Sequence, residues 1–208
     1  MVSAIVLAAG MSRRMGKENK LLLPFSGKTM LETTIGNILM ARDITPRTAY
    51  QEAALEIIVV TGHEADRVRA AIQHLPVTIV HNPDYTTGMT GTIQAGVRQA
   101  SGKGYMICLA DMPLVNPSDY SLLMHSFEGQ VALNPKCICL PGYRQEQGNP
   151  VIFSAWYRDA ILAHKAPEGC REIAQAHRDF IFRVSMPADS ILRDIDDEGD
   201  YRQTVEQL

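Results

Sequence analysis

Short, continuously apolar runs alternate with stretches of helical spacing along the chain up to Val131. Val2 to Ala8 predicts a buried strand, and Met30, Leu31, Ile35, Ile38 and Leu39 then fall on one face of a helix. "LEIIVVTG" (Leu55 to Gly62) predicts a second strand closed by a turn glycine. Val68, Ala71, Ile72 and Leu75 follow at i, i+3, i+4 and i+7, the spacing of a helix. Val77 to Val80 reads as a third strand, and Ile93, Gly96, Val97 and Ala100 as the next helical stripe. Tyr105 to Asp111 is a fourth strand, after which Tyr120, Leu123, Met124 and Phe127 face inward from a helix begun at Pro117-Ser118. Strands that are apolar throughout are buried on both faces. Alternation with single helices makes them a parallel sheet. The expected fold is α/β and Rossmann-like, with a mostly parallel sheet and helices on both faces.

Beyond Val131 the pattern changes. "CICLP" (Cys137 to Pro141) and "PVIF" (Pro150 to Phe153) flank the polar "GYRQEQGN", which predicts a small antiparallel pair on the flank of the sheet. Helices are expected near Ala155 to His164 and Cys170 to His177, ahead of the runs "FRVSMP" and "ILRDID". Ala41 to Ala53 is a polar connection, long for a link from helix to strand. No repeat, low-complexity segment or linker interrupts the chain, so a single domain over residues 1–208 is expected.

Composition narrows the class. With 46% apolar residues the chain can bury a sizeable core, and its formal charge of −3 argues against bulk attraction to nucleic acid or an anionic membrane. No uninterrupted apolar stretch approaches the ~18 residues of a membrane span, and the N-terminus lacks the features of a secretory signal. The expectation is a soluble, cytoplasmic protein. Cys108, Cys137, Cys139 and Cys170 do not make a disulfide scaffold in a chain of this length. Cys137 and Cys139 have the wrong spacing for a zinc knuckle, and on a strand they would face one side as buried thiols.

One local cluster stands against that balance. In "IVLAAGMSRRMGKENKLLLPF" (Ile5 to Phe25) the first strand ends at Gly10, and Arg13, Arg14, Lys17 and Lys20 follow at once. Ligands of an open parallel sheet bind beyond the carboxyl ends of its strands. Glycine admits close backbone approach there, while arginine and lysine supply charge-assisted bonds to phosphate oxygens. Five residues separate Gly10 from Gly16, and Glu18 follows Lys17, so this is not a Walker A loop. A G-x-G-x-x-G pattern is also missing.

Asp111, ending the fourth strand in "LADMP", falls on the same sheet edge. A triphosphate bound there would call for Mg²⁺, which takes one or two carboxylates together with phosphate oxygens. In "RDIDDEGD", Asp194 and Asp196 fall on one side of an extended stretch and offer a second carboxylate. "HNPDYTTGMTGTIQAG" (His81 to Gly96) gathers Thr86, Thr87, Thr90, Thr92, Gly88 and Gly91 at a helix start. A cap needs one such hydroxyl, and the surplus suits a base or ribose. His63 in "TGHEAD" reads as a turn residue.

Together these residues resemble the MobA-like nucleotidyltransferase family. "LAAGMSRRMG" with its downstream lysine is similar to the signature L-A-[AG]-G-x-S-x-R-M-G…K, and the likeness continues in order through "VTGH", "NPDYTTGMTGTIQAG", "ADMP", "GNPVIF" and "DID". The resemblance implies a fold of nucleotide-diphospho-sugar transferase type. It looks closest to the molybdenum cofactor cytidylyltransferase branch, having Ala8-Ala9-Gly10 where the guanylyl branch usually has A-G-G.

The resemblance implies catalytic roles for Arg14, Lys20 and Asp111. Gly10, Ser12 and Arg14 would bind the triphosphate and Lys20 the α-phosphate. Leu7, Ala8, Ala9, Gly62, Gly88, Thr90, Thr92 and Asp111 would complete the nucleotide site. Asp111 and Asp196 become Mg²⁺ ligands, and Asn149 an acceptor contact. Three positions depart from the family's pattern: Ala110 replaces a glycine, Asn149 a histidine, and Asp197-Glu198 a T-P pair. The implied reaction moves CMP from CTP to the phosphate of molybdopterin, with release of pyrophosphate and transient docking to a molybdenum enzyme. Rival readings are a guanylyl or sugar-phosphate nucleotidyltransferase, a non-catalytic cofactor chaperone for a molybdenum hydroxylase, and a small-molecule oxidoreductase. The chain carries no nicotinamide or flavin fingerprint for the last.

Overall fold

The computed structural model describes residues 1–15, 18–44 and 55–206. Gly16, Lys17 and most of the expected polar connection lie outside the described residues; Ala41 to Ile44 are the last turn of a helix. The central strands are β1 (Val2–Ala8), β4 (Leu55–Thr61), β5 (Thr78–His81) and β6 (Gly104–Leu109). A two-residue hairpin, β2 (Pro24–Phe25) with β3 (Lys28–Thr29), stands apart from them. The later strands are β7 (Ile138–Tyr143), β8 (Glu146–Gln147), β9 (Val151–Ser154) and β10 (Ile181–Ser185). Helices α1 (Met30–Ile44), α2 (Ala65–Ile72), α3 (Met89–Gln99) and α4 (Pro117–Leu133) alternate with the strands. Three shorter ones follow, α5 (Arg158–Ala163), α6 (Arg171–Ala176) and α7 (Glu198–Val205).

The sheet runs in the order β10-β7-β9-β6-β1-β4-β5, with β8 paired to β7. β1 is parallel to both β4 and β6, and β4 to β5. The expected antiparallel pair is present, with Ile138 opposite Phe153 and Cys139 opposite Ile152. It is no appendage, however. β9 inserts antiparallel between β6 and β7, so the pair continues the main sheet and carries β10 at its far edge.

The continuous apolar runs resolve into two faces, because successive strand side chains point to opposite sides. On β1, Val2, Ala4, Val6 and Ala8 pack under α1, α2 and α4, whereas Ile5 packs under α3. The second face also takes Ile161 of α5 and Ile173 of α6. Cys137 and Cys139 share the first face as buried free thiols, their Sγ atoms 3.5 Å apart. Gly96 lets α3 approach β1 closely: a Cβ there would lie 2.3 Å from Ile5 Cγ2. That close approach brings the start of α3 over the carboxyl end of β1.

Candidate active site

A cleft of about 440 Å³ opens beyond the carboxyl ends of β1 and β6. Leu7, Ala9, Gly10, Ser12, Arg14 and Lys20 line one side of it, and Gly88 and Thr92 another. Asp111 and Asp196 lie in its wall. The loop after β1 is held by local bonds. Ser12 takes a left-handed backbone conformation (φ 49°), and its hydroxyl accepts from the Lys20 amide at 3.2 Å. Asn19, itself buried, caps the short turn Lys20–Leu22 by accepting from the Leu21 amide at 3.2 Å. The turn thereby aims Lys20 inward.

Lys20 Nζ lies 2.5 Å from Asp111 Oδ2 and 3.0 Å from Asp196 Oδ1, and Arg14 Nη2 meets Asp196 Oδ2 at 2.7 Å. Asp196 comes from far along the chain, and two features put it there. The Ile195 amide donates to the Asp111 carbonyl at 3.0 Å, tying this segment to the end of β6. Asp197 and Asp200 form a capping box at the start of α7, and Asp200 Oδ2 also accepts from the Asp196 amide at 3.2 Å. The pair Asp197-Glu198, a departure from the family's pattern, thus begins a capped helix that fixes Asp196. Asp194, next to this segment, is exposed.

The charges shift one another. Burial alone would lower the Lys20 ammonium's pKa, but the attraction and hydrogen bonds of Asp111 and Asp196 outweigh it and raise it. Burial would raise the Asp196 carboxyl, yet Lys20 and Arg14 hold it below its ordinary value. Asp111 Oδ1 is buried and has no hydrogen-bond partner among the described residues.

Three of the expected nucleotide contacts do not line the cleft. Ala8 turns to the opposite face of the sheet and is buried under the helices there. Gly62 is packed over, since a Cβ on it would lie 2.5 Å from Tyr85 Cβ and 2.8 Å from Ala9 Cβ. The Thr90 hydroxyl donates to the Ala166 carbonyl and accepts from the Gly169 amide at 3.0 Å, so it ties α3 to the loop before α6. Thr92 remains in the wall and accepts from Asn82 Nδ2 at 3.1 Å. Gly88 has φ 124°, and a Cβ there would meet Pro167 at 2.7 Å, which accounts for glycine at the turn into α3. His63 sits in the turn after β4, its amide donating to the Ala9 carbonyl at 3.3 Å.

Sequence reading missed several lining residues. Met11, Tyr85, Met89 and Leu109 also face the cleft, beside Arg13 of the expected basic cluster. Met89 and Leu109 are shared with a second, larger cleft of about 910 Å³. Asn149 lines that second cleft and not the first.

Comparison with known proteins agrees with the geometry. The profile of the MobA-like NTP transferase domain matches residues 4–180. The chain belongs to this family. Among similar MobA-like proteins is the molybdenum cofactor cytidylyltransferase of Escherichia coli (strain K12), 28% identical over 161 residues that cover 77% of each chain. The nicotine blue oxidoreductase of Paenarthrobacter nicotinovorans is 27% identical over 164 residues, 78% of this chain and 75% of that one. A nucleotidyl transferase from Methanothermobacter thermautotroptrophicus shares the fold, with a TM-score of 0.78 at 24% identity over 100% of this chain and 97% of the other. The MobA-like chain is therefore a nucleotidyltransferase by family, on the fold of the nucleotide-diphospho-sugar transferases. Among the described residues, no helix is long and apolar enough to cross a membrane.

Proposed function

We propose that the protein transfers CMP from CTP to the phosphate of a molybdopterin-type acceptor. The observation that carries this reading is the convergence of Lys20, Arg14, Asp111 and Asp196 in one cleft at the strand ends. A triphosphate needs cations around it, and a nucleotidyl transfer needs them at the α-phosphorus. In this reading an oxygen of the acceptor phosphate attacks the α-phosphorus in line. The bond from that phosphorus to the bridging oxygen breaks, and pyrophosphate leaves. No covalent bond to the protein forms. Lys20 neutralises charge on the α-phosphoryl oxygens, while Arg14 grips the departing pyrophosphate.

Mg²⁺ fits the residues present. Asp111 Oδ1 is a hard oxygen donor, buried and without a partner among the described residues. Among those residues no group of three or more Asp, Glu, His or Cys side chains can hold a metal, so phosphate oxygens would complete the shell of an ion bound by Asp111 and Asp196. When bound, the ion neutralises charge between the phosphates and orients them.

The choice of CTP is supported by Ala9, which lines the cleft and takes space that a glycine would leave open. The similar E. coli protein carries cytidylyltransferase in its name. The experiment is pyrophosphate release from CTP, GTP, ATP and UTP with and without molybdopterin. Release from CTP that depends on molybdopterin is expected. A preference for GTP would overturn the cytidylyl assignment. Tight acceptor binding without release from any nucleotide would replace the enzyme with a carrier.

A further inference from the structure

The segments that carry Lys20 and Asp196 both run into one small apolar cluster. Phe25 of β2, Met30 of α1 and Ile195 form its buried centre, and Leu114 and Tyr201 of α7 pack against them. Pro24, where β2 begins, lies shortly after Lys20, and Leu23 before it is pinned, its carbonyl accepting from the Met30 amide at 3.0 Å. Asp196 follows Ile195 directly, and α7 begins at Glu198. Tyr201 joins the two segments: its hydroxyl donates to the Pro24 carbonyl at 2.6 Å. On α7, Tyr201 is half-buried and Thr204, about one turn further on, is buried. Glu198 and Arg202 pair on the exposed side at 2.7 Å.

We propose that Tyr201 is a positioning residue for the metal site: it docks α7 on the hairpin and so sets Asp196 against Asp111 and Lys20. The inference rests on the nucleotidyl-transfer reading, which calls for an ion between the two carboxylates. Asp111 is fixed at the end of β6, whereas Asp196 rides on an irregular segment, so the separation of the pair is decided on the Asp196 side. Its ion pairs cannot decide it. The Arg14 side chain is 67% exposed, and a pair so open to solvent holds a carboxylate weakly. Lys20, on a flexible stem, follows a carboxylate as readily as it fixes one. Backbone and packing remain. The Ile195 amide is tied to the Asp111 carbonyl, and the capping box of α7 holds the Asp196 amide. A helix of 8 residues does not keep its shape alone, so that cap depends on how α7 is docked. Tyr201 supplies the docking through both its ring and its hydroxyl. Groups that orient a metal's ligands from behind are worth about 10–100-fold in affinity.

The test is a double-mutant cycle read in Mn²⁺ affinity by electron paramagnetic resonance, without nucleotide. Tyr201→Ala and Tyr201→Phe are each measured alone and together with Asp196→Asn. Tyr201→Ala should weaken Mn²⁺ binding about tenfold. Tyr201→Phe should weaken it about threefold, the effect of one lost hydrogen bond. Once Asp196 is Asn, neither change at Tyr201 should weaken it further, because Tyr201 acts through that carboxylate. Amide exchange gives a second readout that needs no metal. In Tyr201→Ala the Ile195 amide should exchange about tenfold faster, while the amides of β1 and β4 keep their protection. Wild-type Mn²⁺ affinity in both variants would overturn the proposal, as would a full further loss on top of Asp196→Asn. Faster exchange across β1 and β4 alike would also overturn it, by making Tyr201 a residue of general stability. So would a wild type with no Mn²⁺ site that Asp196→Asn weakens. Should the alanine variant fail to fold, Tyr201→Phe decides by the same cycle, and wild-type affinity in it overturns the proposal. The nucleotidyl-transfer reading fails on a different measurement, the lack of pyrophosphate release by the wild type from any nucleotide.

Discussion

Lys20 joins two carboxylates that lie far apart in sequence, its Nζ 2.5 Å from Asp111 Oδ2 and 3.0 Å from Asp196 Oδ1. The ammonium is mostly buried, with its side chain 12% exposed. Replacing it by alanine leaves Asp111 and Asp196 facing each other with Arg14 alone to compensate. Charge-assisted hydrogen bonds of this kind are worth about 2 kcal/mol. Lys20→Ala should therefore lose about that much stability at neutral pH in urea unfolding, and turnover should fall far more than nucleotide affinity. Wild-type turnover in this variant would remove Lys20 from the reaction.

Asp111→Asn keeps the shape at the end of β6 and removes the anion. The amide oxygen can still face Lys20, so folding should survive. Binding of Mn²⁺, followed by its electron paramagnetic resonance signal, should weaken at least tenfold, and metal-dependent turnover should collapse. Unchanged Mn²⁺ affinity would make Asp111 a turn residue.

The same cluster sets a pH window. Asp196 is held below its ordinary value, so its contribution is complete above the unfolded carboxylate value and is lost as pH falls through the folded one. Lys20 is raised above its ordinary value of 10.5, so its contribution is complete below 10.5 and is lost as pH rises through the folded value. The stability difference between wild type and Lys20→Ala should be flat between these limits and shrink beyond both. A difference equally large at acid and neutral pH would mean that charge has no part in it.

The central strands were legible because a parallel sheet buried on both faces leaves unbroken apolar runs. Asp111 was legible for a related reason, since it follows such a run directly, and Lys20 because it belongs to the basic cluster after the first strand. Strand order was not legible: periodicity places β9 on a strand but says nothing of its insertion beside β6. The errors at the site were errors of side. Ala8 lies between Leu7 and Ala9 on a strand, so it must point away from them. Thr90 and Thr92 are two residues apart on a helix and do not face the same way, and Thr92 is the one in the cleft. The second cleft had no such signal, since its lining comes from several strands and helices without a shared spacing.

Gly96 offers a test of how α3 is seated. A Cβ there would sit 2.3 Å from Ile5 Cγ2 and 3.2 Å from Val60 Cγ2, both in a buried core. Overpacking of this kind costs about 1–3 kcal/mol, offset by about 1 kcal/mol from the better helix propensity of alanine. Gly96→Ala should thus be destabilised by about 1 kcal/mol in urea and should weaken nucleotide binding, because α3 carries Thr92 into the cleft. Wild-type stability and affinity would show that α3 shifts without consequence.

Base choice turns on Ala9. Ala9 lines the cleft, and its carbonyl anchors the turn after β4 by accepting from the His63 amide at 3.3 Å. Neither alanine nor glycine has a polar side chain, so a base over this strand end is read by backbone groups and by neighbours such as Thr92. The methyl occupies space that a purine, with its second ring, needs more than a pyrimidine does. A site that satisfies the polar edge of one base rejects another strongly, since the wrong base leaves buried groups unpaired. Wild type should therefore prefer CTP over GTP in kcat/KM, and Ala9→Gly should narrow the ratio by about tenfold, the effect of roughly 1.4 kcal/mol. The variant keeps the carbonyl that holds His63, so the turn should stay in place. If Ala9→Gly lowers the melting temperature and leaves the CTP-to-GTP ratio unchanged, the methyl only packs against Gly62, and selectivity must come from Thr92 and the backbone.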